Sequence, residues 1–363
     1  MKMVKLGDVL PFHYGKNLPA PKRNHEGSIP VISSAGVIDH HDHSVVPGPV
    51  VVIGRKGSVG SVFYSQGPCW PTDTAFYVQG SNRMDIRFAY YLLKNQPLSR
   101  MNNDSAVPGL NRGDAEGLVV FIPEEVERQR QIAGVLGALD DKIAANQRVM
   151  FVSKGLSASL AGTATRKCAL GEISTIYKSP IGVTRMNGKI VTSYSLPSFD
   201  DGWAPRIDGG SIKSGKTLLK KPVVLVSKLN PRIPRIWGVD HLPEGDSVAS
   251  TEFVALKPKD GVKIAHLWSV VSSPDFTKDV LHRVTGTTGS HQRITPQAMM
   301  EIEVNDPRGL SEETKILLEP LLRSVNLRAE ENQKLARTRD ELLPLLMDGR
   351  ITVKDAERVV EEV

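Results

Sequence analysis

Residues Ile122–Asn146 read IPEEVERQRQIAGVLGALDDKIAAN and carry the pattern on which the expected fold depends. The apolar residues Ile132, Leu136, Leu139 and Ile143 follow one another at steps of four, three and four positions. Such spacing is typical of a helix that buries one narrow stripe against another helix. We therefore predict a long helix here that pairs with a second long helix.

A degraded copy of this pattern begins near Ser311 and supplies the second helix. Its predicted helix-pairing residues are Leu321, Val325, Leu335 and Leu342. Each helix follows a stretch of comparable size that has no heptad pattern. The predicted order is therefore globular unit, helix, globular unit, helix, with the boundaries 1–122, 123–163, 164–309 and 310–363.

Several residues interrupt the helical patterns. Gly134 and Gly137 weaken the first helix by about 1 kcal/mol each relative to alanine, and we expect them to permit close backbone approach. Pro320 would break a helix interior, so the second helix is expected to start near it or to kink there. Asn146 and Asn332 lie at or near seam positions, where a buried amide can fix the register of two helices. Exposure of both amides to solvent is the alternative.

The composition is that of a folded protein with a mild positive charge. The 363 residues are 40% hydrophobic, carry a net charge of +6 and have a pI of about 9.2. The positive surplus lies in the two globular units, where a phosphate backbone could meet it. No apolar run approaches the roughly 18–20 residues of a membrane helix, and no secretory signal is expected at the N-terminus. Cys69 and Cys168 are expected to be reduced thiols.

The two globular units repeat five blocks of sequence in the same order, which indicates an internal duplication. We predict in each a strand, a basic turn and a second strand, then a further strand, a short helix, and a closing loop before a last strand. In the first unit the further strand is predicted over CWPTDTAFYVQ and the helix over Ile86–Leu93. The paired blocks are KLGDVL and ALGEIS, VVVIGRKGSVGSVFY and KPVVLVSKLNPRIPRIWGV, TDTAFYVQ and VASTEFVALKP, IRFAYYLL and IAHLWSVVSS, and PGLNRGDAEGLVVFIP and GSHQRITPQAMMEIEV.

The sequence contains little that indicates catalysis. The spacing of His40, His41, Asp42 and His43 is wrong for one face of a helix, and no second ligand cluster accompanies it, so a polar loop is the better interpretation. The turn Gly54–Ser61 lacks P-loop spacing and precedes a strand. No hydrolase, metalloprotease or methyltransferase motif is present. We predict that this chain has no catalytic residues and binds no cofactor or metal.

Polar and basic loops occur at matching places in both units. Arg, Asn and Gln can bond two atoms of a base edge in the major groove, and Lys, Ser, Thr and glycine backbone suit phosphate oxygens. Any one of these residues could be an ordinary solvated loop position, so the hypothesis rests on their recurrence. The candidate DNA-binding residues of the first unit are Arg55, Lys56, Ser58, Asn111 and Arg112. Those of the second unit are Lys228, Asn230, Arg232, Arg235, Thr287, Thr288, Ser290, His291, Gln292 and Arg293.

These blocks resemble the specificity subunits of type I restriction–modification systems. The resemblance covers nearly the whole chain, and its most specific part is the proline followed by a glutamine-rich helix that ends in LDDKI. It implies an α+β fold in which two pseudo-repeated α/β target recognition domains are joined by two long helices that pair as an antiparallel coiled coil. It also implies that each domain reads one half of a bipartite DNA sequence and that the helices set the spacer.

The resemblance further implies a non-catalytic subunit with several partners. It would bind double-stranded DNA and two modification subunits, which use S-adenosylmethionine to methylate adenine, and through them ATP-dependent restriction subunits. The setting would be the cytoplasm of a bacterium or an archaeon. The second unit departs from the family pattern, because VASTEFVA replaces PTDTAFY and its helix lacks the RQRQIA run. A two-domain enzyme and a coiled-coil assembly module without direct DNA binding are the alternatives.

Overall fold

A computed structural model describes residues 1–101, 109–284 and 292–362 of the chain. The chain divides into two compact units, the first made of Met1–Asp141 with Leu335–Val363 and the second of Lys142–Lys334. Each unit therefore combines parts of several of the four segments expected from the sequence. The division into those four segments stays a prediction.

In the part of the first unit that the structure describes, the chain forms nine short strands and several helices. The strands are β1 (Lys2–Lys5), β2 (His13–Tyr14), β3 (Ile29–Ser33), β4 (Gly36–His41), β5 (Val50–Gly54), β6 (Val62–Ser65), β7 (Trp70–Pro71), β8 (Ala75–Gln79) and β9 (Val119–Ile122). The helices are α1 (Leu6–Val9), α2 (Ile86–Lys94), α3 (Arg112–Glu116) and the first part of α4 (Val126–Ala161). The strands form a sheet in the order β2-β8-β5-β6, a second sheet in the order β4-β3-β7, and the ribbon β1-β9.

The segment CWPTDTAFYVQ forms two strands, and the prediction of one continuous strand was wrong. β7 pairs with β3 in parallel, whereas β8 pairs with β5 in the antiparallel direction. Between them the Ala75 amide donates to the Thr72 carbonyl at 3.0 Å, and the hydroxyl groups of Thr72 and Thr74 lie 2.9 Å apart. Pro71 has no amide hydrogen to continue a ladder, so the chain turns there and changes sheets.

The described residues of the second unit form eleven strands. They are β10 (Lys167–Ala169), β11 (Ser174–Ile176), β12 (Pro180–Ile181), β13 (Ile190–Tyr194), β14 (Arg206–Asp208), β15 (Lys216–Leu219), β16 (Val223–Ser227), β17 (Ile236–Val239), β18 (Asp246–Ser250), β19 (Phe253–Pro258) and β20 (Glu303–Asn305). The remaining α-helices of the described ranges are α5 (Leu170–Ile173), α6 (Val183–Met186), α7 (Leu196–Asp201), α8 (Ile264–Val271), α9 (Pro274–His282), α10 (Pro296–Met300), α11 (Glu312–Met347) and α12 (Val353–Glu361). None of the helices within the described ranges has the length and apolarity that crossing a bilayer requires.

The two units repeat one arrangement of strands, which the sequence predicts. The order β2-β8-β5-β6 corresponds to β11-β19-β16-β17, and the ribbon β1-β9 corresponds to β10-β20. The Leu6 amide donates to the Leu118 carbonyl at 2.8 Å, and the Leu170 amide donates to the Ile302 carbonyl at the same distance. The second unit extends its other sheet with β12 and β15. The duplication is therefore visible in the strand order and in single hydrogen bonds.

Parts of both long helices belong to the core of the second unit. Ala161 of α4 and Leu318 and Leu322 of α11 lie in one buried cluster with Trp268 of α8. Gly238 of β17 packs against this cluster, and a Cβ there would lie 2.5 Å from Leu322 and 2.8 Å from Trp268. Strand β17 approaches α8 and α11 so closely that glycine is required at position 238.

In the first unit the predicted seam residues are buried. Ile132, Leu136 and Leu139 are 3%, 0% and 1% exposed, and Leu335 and Leu342 are 6% and 4% exposed. A polar contact joins the same segments, because Arg339 donates from Nη1 to the Asp140 carboxylate at 2.6 Å. The other oxygen of that carboxylate accepts the Tyr91 hydroxyl at 2.6 Å. These five predicted helix-pairing residues are therefore buried, and their pairing with one another stays a prediction.

In the second unit the two asparagines meet. Asn146 and Asn332 are each 4% exposed, and Asn146 donates from Nδ2 to Asn332 Oδ1 at 2.9 Å and to Glu331 Oε2 at 2.8 Å. The buried alternative therefore holds and the solvated one is wrong. Since Ala161 shares a cluster with Leu318 while Asn146 faces Asn332, the two helical segments run antiparallel in this unit.

Three predicted seam residues are only partly buried. Ile143 and Leu321 are only half-buried, and Val325 packs partly buried against the core cluster. Leu322, one position further, is the buried residue at 1% exposure. A straight helix drifts by about 20° per heptad from a 3.5-residue repeat. In the second unit, moreover, α11 packs against both the domain core and α4, so its buried face is wider than one narrow stripe.

The interrupting residues behave differently from the predictions. α11 starts at Glu312 and includes Pro320, so the expectation of a start near the proline was wrong. Gly137 is close to a side chain and not to another helix backbone, since Arg87 donates from Nη2 to its carbonyl at 3.0 Å and a Cβ would lie 2.5 Å from the guanidinium. Gly134 has no atom within 4 Å of its Cβ position.

Candidate nucleic-acid interface

In the first unit the predicted basic turn and the closing loop lie side by side at the end of β5. The Arg55 and Lys56 amides donate to the Thr74 carbonyl at 2.9 and 3.1 Å, and the Leu110 amide donates to the Arg55 carbonyl at 2.8 Å. A bridge joins Lys56 to Gly109. Segments that lie about 50 residues apart in the sequence therefore form one surface, and Arg55 lies at its centre.

The side chain of Arg55 is held by two aromatic rings. Its Cζ lies 5.1 Å from the centroid of Tyr14 and 5.8 Å from that of Phe76, which are cation–π distances. Nη1 donates to the Asp73 carbonyl at 3.3 Å. Tyr14 is 54% exposed, whereas Phe76 is 1% exposed. Sequence reasoning missed Tyr14, because its neighbourhood depends on the pairing of β2 with β8.

The rest of the basic turn consists of Lys56 followed by small residues and a valine. Lys56 and Ser58 are exposed. Gly57 and Gly60 have φ values of +78° and +74°, which favour glycine, and a Cβ on Gly60 would lie 2.3 Å from the Ser99 nitrogen. A lysine ammonium and a serine hydroxyl are groups that bind phosphate oxygens.

Asn111 and Arg112 have structural roles that the loop prediction did not include. Asn111 caps α3, where its Oδ1 accepts the Gly113 and Asp114 amides at 2.8 and 3.3 Å. Arg112 Nε donates to Glu116 Oε1 at 3.0 Å, and the same oxygen accepts the Phe12 amide at 2.7 Å. The expected loop is therefore a short helix, because asparagine is a strong N-cap residue.

The second unit brings its turn and its closing segment together in the same way. The Lys228 amide donates to the Glu252 carbonyl at 2.8 Å, and the Ile294 amide donates to the Lys228 carbonyl at 3.1 Å. The Asn230 amide donates to the Gln292 carbonyl at 2.9 Å, and Asn230 has a φ of +48°. Lys228 therefore occupies the position that Arg55 has in the first unit.

The arginines of the second unit differ in how firmly they are held. Arg235 donates from Nε and Nη2 to the two Asp200 oxygens at 2.7 Å each, and its side chain is 12% exposed. Arg293 donates to Glu252 at 3.2 Å. Arg232 is exposed. Thr287, Thr288, Ser290 and His291 lie outside the described residues.

The histidine-rich segment extends a strand. His40 and His41 are the last residues of β4, so the polar-loop interpretation was wrong for them. Ligand atoms of His41, Asp42 and His43 lie within 4.8 Å of one another and could hold a metal ion. A hydrogen bond from His43 lowers the pKa of Asp42. None of the candidate DNA-binding residues is part of this group.

Neither cysteine is an activated nucleophile. Cys69 and Cys168 are free and buried, and burial raises the pKa of the Cys69 thiol to about 11. Burial also raises the pKa of Cys168. A thiol with a raised pKa has little of the reactive thiolate at neutral pH.

A cleft of about 180 Å³ lies beside α11 in the second unit. Tyr194 and Trp237 line it with their rings, and burial raises the pKa of Tyr194 to about 12. His241 stands at its polar side, with Nδ1 2.8 Å from Asp240 and Nε2 2.9 Å from Glu330. The cleft is therefore lined by residues of β13, β17 and α11, and none of the described candidate DNA-binding residues lines it.

Comparison with known sequences matches the first part of the chain to one family. Residues 1–149 match the family described as "Type I restriction modification DNA specificity domain". The specificity subunit of the type I restriction enzyme EcoprrI from Escherichia coli is 28% identical over 144 residues, which are 38% of this chain and 36% of that subunit. The match thus spans about a third of the length of the curated relative.

Comparison with solved structures covers more of the chain. The S subunit of a type I restriction–modification system from M. genitalium has a TM-score of 0.59 at 16% identity, and the match covers 95% of this chain and 96% of that one. An HsdS subunit from Thermoanaerobacter tengcongensis covers 96% and 97% with a TM-score of 0.34 at 16% identity. The first of these likenesses shows a shared fold.

Proposed function

Residues 1–149 carry a type I restriction modification DNA specificity domain, and from this premise we propose that the chain is the DNA-recognition subunit of a type I restriction–modification complex. Each unit would read one half of a bipartite DNA target, and the paired helices would set the spacer between the halves. The chain itself would perform no catalysis. Methylation would occur in two partner subunits that bind S-adenosylmethionine, and cleavage in ATP-dependent restriction subunits, in the cytoplasm of a bacterium or an archaeon.

The observation that carries this proposal is the repeated junction of turn and closing segment. The Arg55 and Lys228 amides donate to the Thr74 and Glu252 carbonyls, which directly precede β8 and β19. The carbonyls of Arg55 and Lys228 each accept an amide of the closing segment. Side chains suited to base edges and phosphates surround both positions. Two similar frames with different loops are what the reading of two different half-sites requires.

Docking of the methyltransferase subunits is supported by an apolar stripe on α4. Val149, Val152 and Leu156 follow helical spacing and are 39%, 64% and 48% exposed. Phe151 beside them is 81% exposed. Because water-exposed apolar side chains on one helix face favour association, this face suits a partner subunit.

The proposal is tested by measuring the DNA preference of the full chain purified with its methyltransferase subunits. Selection from a random duplex library should yield two short specific sequences separated by unread base pairs. The affinity should fall steeply with salt, because each neutralised phosphate contributes about −0.9 to the slope of log K against log salt.

The alternative is a coiled-coil assembly module that does not contact DNA directly. It predicts that the complex retains its sequence preference when the candidate turn residues of both units are replaced together by alanine. A complex that selects no sequence, or that selects one continuous sequence, would contradict the proposal itself.

A further inference from the structure

Arg55 is fixed in the first unit at both its backbone and its guanidinium group. Its amide and its carbonyl are both hydrogen-bonded, to Thr74 and Leu110. Tyr14 and Phe76, whose rings stand edge to face with centroids 5.0 Å apart, form a platform for the guanidinium. An arginine held in this way has little side-chain freedom left to lose when it binds.

Among the residues of the second unit that the structure describes, no such platform lies at the matching position. Phe76 pairs with Ile53, just before the turn, and its counterpart is Val254, which pairs with Val226. Tyr14 pairs with Phe76, and continuing the β11-β19 register beyond Tyr177 places Lys178 at that point. Lysines 178 and 228 thus replace a tyrosine and an arginine.

The two side chains differ in what they can recognise. A planar guanidinium in a fixed orientation can donate two parallel hydrogen bonds to O6 and N7 of guanine, and this is the commonest specific contact to a base in the major groove. A lysine is a mobile point charge that suits a phosphate at any angle. A guanidinium can also bind a phosphate through two hydrogen bonds. A fixed plane, however, distinguishes base edges, because these differ in where their acceptors lie.

We propose that Arg55 reads a guanine in the half-site of the first unit and that Tyr14 is the positioning residue that orients it. Lys228 makes a phosphate contact in the second unit. This inference rests on the proposed function and adds to it a base identity and a residue outside the basic turn. The exposed Lys56 and Ser58 hold the neighbouring phosphates.

The test compares variants of the full chain, purified with its methyltransferase subunits, by library selection on random duplexes. Wild type should require a G·C pair at one position of one half-site. Arg55→Lys and Tyr14→Ala should each lower the preference for that pair, by about 5- to 150-fold for loss of a bidentate contact. Tyr14→Phe, which keeps the ring, should retain it, and the other half-site should be unchanged in all three.

Lys228→Ala is the matched control in the second unit. It should weaken binding to all sequences alike and reduce the salt slope by about one, with both half-sites still selected. The unchanged half-site in each variant also shows that the protein is folded.

Several outcomes would overturn the inference while leaving the proposed function intact. They are a target without a required guanine, an Arg55→Lys variant that only weakens binding to every sequence, and a Tyr14→Ala variant that keeps the guanine preference. A wild-type complex that selects no bipartite sequence would instead overturn the proposed function.

Discussion

At the scale of the residue, the candidate interface contains basic side chains that are held in three different ways. Arg235 is bound to a carboxylate by two short hydrogen bonds, and Arg112 shares a carboxylate with a backbone amide. Arg55 rests on aromatic rings. Lys56 and Arg232 are exposed. An arginine that is paired with a carboxylate must break that pair to bind DNA. Arg55, Lys56 and Arg232 are therefore better placed to contact DNA than Arg112 and Arg235.

A histidine in the second unit gives a prediction of pH dependence. Its hydrogen bond to Asp240 raises the pKa of His241 above its ordinary value of 6.5, against the effect of burial, and Glu330 adds to the increase. A raised folded-state pKa stabilises the fold below the unfolded pKa, and this contribution is lost as the pH rises through the folded pKa. His241→Gln should therefore destabilise the protein more at about pH 6 than at about pH 8.

The measurement is urea unfolding of both proteins at each pH. His266 acts in the opposite direction, because burial lowers its pKa, so the difference between wild type and variant isolates His241. A difference that is the same at both pH values would show that His241 does not titrate in the way that its partners indicate.

At the scale of the element, the two long helices pair through one apolar stripe and one buried polar contact. Leu136 and Leu139 are almost completely buried in the first unit. In the second, Asn146 and Asn332 pair across the helices. The hydrogen bond between two buried amides forms only when the two residues face each other. A shift of one helix along the other would leave both amides unpaired, whereas apolar side chains could still find apolar neighbours.

Leu136→Ala should destabilise the first unit by about 2–5 kcal/mol, because it leaves a cavity at a fully buried position. Gln131→Ala on the exposed side of the same helix is the control, and it should change the free energy of unfolding by less than about 0.5 kcal/mol. Both are measured by denaturant unfolding. Equal effects of the two substitutions would contradict the pairing assigned to this segment.

The asparagine pair is tested by a double-mutant cycle in the free energy of unfolding. Asn146→Ala and Asn332→Ala should each cost about 1–3 kcal/mol, since each leaves a buried polar group without its partner. The double variant should lose less than the sum of the two. Additive losses would mean that the two amides do not depend on each other.

At the scale of the whole molecule, the chain is an internal duplication in which the two copies share a strand order and differ in their loops. The same strand order occurs in both units, and the same backbone bonds hold the two basic turns. The turns themselves differ, with GRKGSVGS in one and SKLNPRIPR in the other. A shared frame with different contact residues favours two independent reading sites.

Replacing Lys228, Asn230 and Arg232 together by alanine should change the base preference in one half-site only. The other half-site should be selected as by the wild type, because the first unit has its own fold and turn. Library selection with the full complex measures both halves in one experiment. A similar loss of preference in both halves would indicate that the units do not read separately.

Sequence patterns predicted the elements whose residues interact with near neighbours along the chain. The helix at α2, the buried strand β5 and the long helix α4 follow from local periodicity. The division of CWPTDTAFYVQ between two sheets does not, because it depends on strands that precede it in the sequence. The candidate DNA-binding residues themselves stay predictions.

The amino-acid sequence by itself determined the duplication, the helical seam and the positions of the two basic turns. Repeats and periodicity are one-dimensional properties, and burial of an apolar stripe follows directly from them. Only the tertiary structure decided the partner of each polar side chain: Tyr14 for Arg55, Asp200 for Arg235 and Asn332 for Asn146. Such contacts join residues far apart in the chain over a few ångströms, and that proximity exists only once strand pairing and helix packing have placed them.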